Sequence, residues 1–211
     1  MKRAIVAVAM ALAVSLAVAC GSDKNTTEPP PPPPPPPAPD TVQLVIGDAV
    51  GTATFPDGNT DQGGQGDPVN GIACDNSAPN YDIHVHLSLY VEGKQIAIGR
   101  GIGVMDPQVI NNFVLAGTCF YWLHTHDATG IIHVEPPTAI QVNLGQFFDI
   151  WGQPLSKTEV AGYQGAVTVL VDGEEYTGDP RAIVFEAHKQ IALEVGTPVV
   201  TPDFYLFPPD Y

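Results

Sequence analysis

Basic side chains are scarce in this sequence: Lys and Arg total 8 against 23 Asp and Glu in 211 residues, a formal charge of −15. Such a surface is repelled by nucleic acid and by anionic headgroups, so no nucleic-acid partner is expected. The acidity suits cation capture, and it equally suits a well-solvated exported protein. Cysteine is sparse as well, with Cys20, Cys74 and Cys119 the only three. None forms the short Cys-x-x-Cys spacing of a thiolate metal site. No serine nucleophile elbow, phosphate loop or dinucleotide fingerprint is present. Beyond Ala19, no run is long and apolar enough to span a bilayer as a helix.

The amino-terminal residues read as an export signal: Lys2-Arg3, an apolar run from Ala4 to Ala19, then small residues before Cys20. Leu16-Ala17-Val18-Ala19-Cys20-Gly21 resembles the lipobox of bacterial lipoproteins, with Ala17 where Leu is usual. The resemblance implies a signal peptide over 1–19 and lipidation of Cys20, which would anchor the chain to a membrane. Ordinary signal-peptidase cleavage after Ala19 would cut the same bond and leave a free Cys20. Gly21 and Ser22 lack the Asp associated with inner-membrane retention, so the expected address is the bacterial cell envelope. In a Gram-negative cell that is the outer membrane, facing periplasm or cell surface. Loss of Lys2 and Arg3 takes the formal charge from −15 to −17. Pro29 to Pro37 is an unbroken proline run, expected to form a polyproline II linker between the anchor region (20–40) and a domain over 41–211. An oxidising compartment favours a Cys74–Cys119 disulfide, closing a loop of about 46 residues and contributing roughly 4 kcal/mol.

The domain reads as mainly β, a sandwich or barrel of short antiparallel strands with one short helix. Strands are expected at Val42–Ile46, Ala53–Phe55, Tyr81–Val91, Gln95–Ile98, Cys119–Leu123, Ile131–Val134, Ala139–Asn143, Val167–Val171, Glu174–Tyr176 and Gln190–Val195. Ser88–Ala97 and Thr168–Thr177 share the order apolar strand, Val, acidic residue, Gly, second strand, as in a repeated hairpin. Asn143 is placed to cap a helix from Leu144 to Trp151, which Gly152 and Pro154 stop. Residues Pro56–Gly71 form a Gly-, Asp- and Asn-rich loop with partial likeness to calcium loops but without their ligand spacing. Pro198–Tyr211 is expected to pack as a tail on the surface.

Histidine carries the chemistry. Five of the six lie in two short stretches, His84-Val85-His86 and Cys119 to Glu135, which holds His124, His126 and His133. In a strand, residues two apart share a face, so each His-x-His pair projects together. A turn over Asp127–Gly130 would return His133 beside His124 and His126. If the two stretches are neighbours, five imidazoles converge, enough for one ion or two. Asp127 and Glu135 flank the cluster, placed to orient a ring or to act as ligands themselves. His188, isolated near a strand end, is expected to be ordinary.

Gly117 to His126, followed by Gly130 to Pro136, resembles the copper-ligand segment of cupredoxin-like proteins and multicopper oxidases. His84-Val85-His86 is similar to the first His-x-His of those oxidases and to the copper-binding His-Val-His of copper-zinc superoxide dismutases. The resemblance implies a copper-compatible β fold. It stops short of the type 1 arrangement, since no Cys stands within the cluster in the type 1 position, no Met ligand is nearby and the later His-Cys-His motif is missing. The dismutase zinc-loop histidines are missing too. Zinc, or iron in a cupin-like barrel, fits the spacing equally. The expected function is therefore transition-metal binding or handling, with copper first and zinc or iron as alternatives. A metalloenzyme and a structural or adhesive envelope domain are the rival readings.

Overall fold

The computed structural model describes residues 38–211, and the expected signal segment 1–19, Cys20 and the Pro29–Pro37 run lie outside them. The described residues are mainly strands, with one α-helix, Leu144–Trp151, and a 3-10 turn at Pro180–Ala182. No helix among them is long and apolar enough to cross a membrane.

The largest sheet is built around Ile83–Val91, whose nine residues serve several partners at once. Along one edge, Ile83–His86 pairs antiparallel with Ile131–Val134, and Leu89–Val91 pairs antiparallel with Lys94–Ile96. The other edge pairs in parallel with Gln190–Val195, which in turn pairs antiparallel with Val167–Val171. Leu123–His124 closes the first side against Ile131–Val134. Most pairs are antiparallel as expected, but Ile83–Val91 with Gln190–Val195, Thr52–Ala53 with Lys94–Ala97, and Thr41–Gln43 with Phe204–Leu206 are parallel. A parallel neighbour needs a crossover rather than a hairpin, and strand patterning alone does not reveal which partner a long connection returns to.

Both hairpins expected from the Val-acidic-Gly pattern are present, at Glu92-Gly93 and Asp172-Gly173. Their turn residues all have positive φ: 49° and 73° in the first, 52° and 84° in the second. That is the geometry two-residue turns adopt to match strand twist, and it requires Gly at the second position. The helix also starts where the sequence places it. The Asn143 side chain accepts from the Gln146 backbone while the Gln146 side chain accepts from the Asn143 backbone, and Gly152 ends the helix in the left-handed region. Phe147, Phe148, Ile150 and Trp151 are buried in the main core with Val85, Leu87, Leu89, Leu123 and Ile132.

Three expected strands differ. Cys119–Leu123 is broken at Trp122: Cys119–Tyr121 joins a small sheet with Cys74–Asp75 and Val104–Met105, while Leu123–His124 turns into the main sheet. Ala139–Asn143 is not a strand, because Pro136-Pro137 precede it and Asn143 is committed to capping; only an isolated bridge, Asn143 with Val184, remains. The first strand ends at Gln43, short of Ile46, where Asp48 N–H donates to Val45 O in a turn. The loop 56–71 is braced both within itself and against the Gly99–Gly103 segment. Asp57 pairs with Arg100, and Asn59 bonds Gly64 O and Gly103 N.

Cys74 and Cys119 stand at disulfide distance, with Cα atoms 5.4 Å apart. The bridge links two paired strands of the small sheet, Cys74–Asp75 and Cys119–Tyr121. Replacing both cysteines by Ala is expected to cost about 3 kcal/mol. The Tm would then fall by roughly 10 °C. Calorimetry of the oxidised protein and the double variant checks this, and an unchanged Tm would refute it.

Candidate metal centre

The strand Ile131–Val134 lies between Leu123–His124 and Ile83–Val91, and its register sets His133 opposite His124 on one side and His84 on the other. The result is a row of three imidazoles across three adjacent strands. His133 and His124 rings stack with centroids 5.2 Å apart, and His133 and His84 meet edge to face at 4.4 Å. His126 lies just past the end of its strand, yet its ring centroid comes within 4.5 Å of that of His133. His124, His126, His133 and Glu135 each present a ligand atom, all within 4.8 Å of one another.

What makes this more than a crowd of rings is the fixing of tautomers. His124 Nδ1 is 2.8 Å from Tyr121 O, and His126 Nδ1 is hydrogen-bonded to Val114 O. A carbonyl only accepts, so both Nδ1 atoms carry the hydrogen and both Nε2 atoms of the neutral rings carry lone pairs. Those two Nε2 atoms face each other at 3.1 Å. While both rings are neutral, two acceptors face one another there, and the one on buried His124 forgoes about 1–3 kcal/mol. A bound cation removes that cost. Nitrogens about 2.0–2.1 Å from a tetrahedral ion lie roughly 3.3 Å apart, close to the spacing here.

The surroundings hold this geometry. Thr125, fully buried between the two histidines, donates from Oγ1 to Gly99 O and accepts from Ile102 N, pinning the backbone to the Gly99–Gly103 loop. Gly103 has φ 76° and passes directly against Leu123 O and His124, where a Cβ would collide. Phe113 stacks on the His126 ring at 4.6 Å and 11°, and Phe120 packs edge-on to His124. Burial pushes His124 and His133 well below the ordinary imidazole range, and the neighbouring rings add to it. The neutral form is the one that binds metal. Glu135, 26% exposed, sits at the rim with Oε1 3.1 Å from His133 Nδ1 and 4.0 Å from His124 Nε2.

His84, expected in the site, reaches it through His133: its Nε2 lies 3.0 Å from His133 Nδ1. His86 stands apart. It sits opposite Ile131, two positions further along the ladder, and its Nε2 donates to Thr129 O at 2.9 Å while its ring stacks on Tyr205 at 4.1 Å. Asp127 has a different task from the one expected, since its carboxylate accepts from Gly47 N, Thr129 N and Thr129 Oγ1 and so organises the turn. His188 donates from its backbone N–H to His84 O, while its side chain bonds Tyr211 O and packs on Phe207; it belongs to neither group of candidate ligands. Asp82, Phe113, Tyr121, Thr125 and Tyr211 are neighbours of the cluster that the sequence reading missed. Asp82 was accessible to it, because the period of two that aligns His84 with His86 also aligns Asp82 with His84. Phe113 and Tyr211 carry no local signal.

No known family model, curated protein or solved structure matches this chain.

His86 sets a pH dependence of its own. Burial lowers its pKa from 6.5 to about 4. The unfolded chain therefore binds more protons between those values, so His86 supports full stability above pH 6.5 and withdraws it as pH falls through 4. The full loss is on the order of 3 kcal/mol. In metal-free protein, urea unfolding at pH 7 and pH 4.5 should show this fall, and His86→Gln should shrink it. An identical pH slope in wild type and variant would contradict the assignment.

Proposed function

We propose that this chain is an exported, lipid-anchored envelope protein that binds a transition-metal ion through His124, His126, His133 and Glu135, for metal binding or handling. Copper is the first choice and zinc or iron the alternatives, because imidazole with one carboxylate suits all three and no thiolate or thioether selects among them. The observation that carries the reading is the pair of Nε2 atoms facing each other at 3.1 Å, with each ring anchored by a carbonyl on its own Nδ1. A purely structural histidine layer would be expected to alternate donors and acceptors instead. The motif resemblance to cupredoxin-like segments agrees with copper.

An enzymatic reading is favoured by one feature, the position of Glu135. At 4.0 Å from His124 Nε2 and partly exposed, it is placed to accept a proton from a metal-bound water as readily as to ligate the ion. Turnover with any substrate would be lost in Glu135→Gln while metal was retained.

The primary test is metal content by mass spectrometry of protein exported to the periplasm and purified without a histidine tag, beside a His124→Ala, His126→Ala variant. The wild type is expected to hold stoichiometric copper or zinc and the variant to lose the ion bound by that pair. A wild type that is metal-free, and that takes up no copper, zinc or iron, would refute the proposal.

A further inference from the structure

The geometry points to a second cation position beside the first, formed by Asp82, His84 and Glu135 and sharing Glu135 with it. This inference rests on the metal-binding reading above and extends it from one ion to two. The chemical class of the ligand is a divalent transition ion, copper or zinc, held by one imidazole and two carboxylates.

The placement follows from sheet register. His133 pairs with His84 and Val134 with Ile83 across the same ladder, so Glu135 and Asp82, each one residue further on, fall on the same face as the two histidines. Two residues from each strand thus form a block, with Asp82 and His84 on one side and Glu135 and His133 on the other. Ligand atoms of Asp82, His84 and Glu135 all lie within 4.8 Å of one another. Asp82 Oδ1 is 3.5 Å from His84 Nε2, and Glu135 Oε1 is 3.1 Å from His133 Nδ1.

The block brings two imidazole nitrogens and two carboxylates together in one small volume. His84 Nε2 and His133 Nδ1 are 3.0 Å apart, and each carries at most one hydrogen. If His133 Nδ1 alone carries it, the lone pair of His84 Nε2 faces the Asp82 carboxylate. If His84 Nε2 alone carries it, the lone pair of His133 Nδ1 faces the Glu135 carboxylate. If both carry one, the His84 N–H turns to the Asp82 carboxylate at 3.5 Å and the His133 N–H to the Glu135 carboxylate at 3.1 Å. In the first of these arrangements the buried His84 ring offers its Nε2 lone pair to a cation together with the two carboxylates. A cation held by Asp82, His84 and Glu135 leaves the His133 hydrogen as the only one required there.

The position is covered but reachable. The Tyr211 ring packs against His84 at 4.6 Å and against His133 at 5.3 Å, closing one side. Asp82, with a side chain 54% exposed, opens the other to solvent. The first ion lies deeper, against His124 and the phenylalanines. The two positions therefore differ in access as well as in ligands.

The test is the number of ions held by the full chain carrying Cys20→Ser, so that no free thiol contributes, after loading with copper(II) or separately with zinc(II) and dialysis against a weak chelator. The expected result is about two ions per chain, falling by half in Asp82→Ala and in His84→Ala. Asp82 is exposed, so its variant keeps the fold even if the His84 variant does not. In the copper-loaded protein, electron paramagnetic resonance adds a second readout: a shared carboxylate couples the two spins and reduces the integrated signal, and Asp82→Ala restores that of one isolated ion. One ion or fewer in the wild type overturns the second site. Two ions that both persist in Asp82→Ala and His84→Ala overturn it as well. One ion that is lost on changing His124 and His126 leaves the first site standing, whereas none at all removes both.

Discussion

The histidine face depends on a single constraint, the position of Ile131–Val134 between two strands that each deliver a histidine to it. That strand fixes His133 by backbone hydrogen bonds on both edges, and its register carries His124 and His84 to either side. A slip of one residue would turn His133 and Glu135 to the opposite face and bring Ile132 and Val134 out of the core. The burial of Ile132 and Val134 in the main core holds the register, so hydrophobic packing on one face sets the polar geometry on the other.

Around that row the chain adds restraints of different kinds. Carbonyls of Tyr121 and Val114 choose the tautomers of His124 and His126, Thr125 pins the backbone between them, and aromatic rings wall them in. The carboxyl-terminal segment covers the same face, with Tyr205 stacked on His86 and Tyr211 against His84 and His133. Closely set imidazoles in a walled site that opens at a carboxylate rim are the arrangement on which the metal-binding proposal rests.

Much of this was legible in the sequence where the signals are local. The helix limits and cap could be read from Asn143, Gln146 and Gly152, and both Val-acidic-Gly hairpins from their turn residues. The mainly β character followed from alternation. The cysteine pairing followed from compartment and count. What was not legible is long-range. His84 and His86 look equivalent in sequence, but the register puts His84 against His133 and leaves His86 under Tyr205. Asp127 looks like a neighbour of the cluster, but the return turn needs its carboxylate for Gly47 and Thr129. The Val114 carbonyl, which fixes His126, comes from a hairpin whose approach no local pattern announces. Parallel pairing of Ile83–Val91 with Gln190–Val195, about a hundred residues apart, is likewise invisible to periodicity.

Metal binding at this site depends on Nε2 of His124 and Nε2 of His126 both being free to ligate. Anomalous diffraction at the copper or zinc absorption edge, from crystals of the metal-loaded protein, locates an ion relative to those atoms directly. The account predicts an ion bonded to Nε2 of both His124 and His126, at about 2.0–2.1 Å. An ion bound through their Nδ1 atoms, or bound elsewhere with the His124–His126 pair left empty, would contradict it.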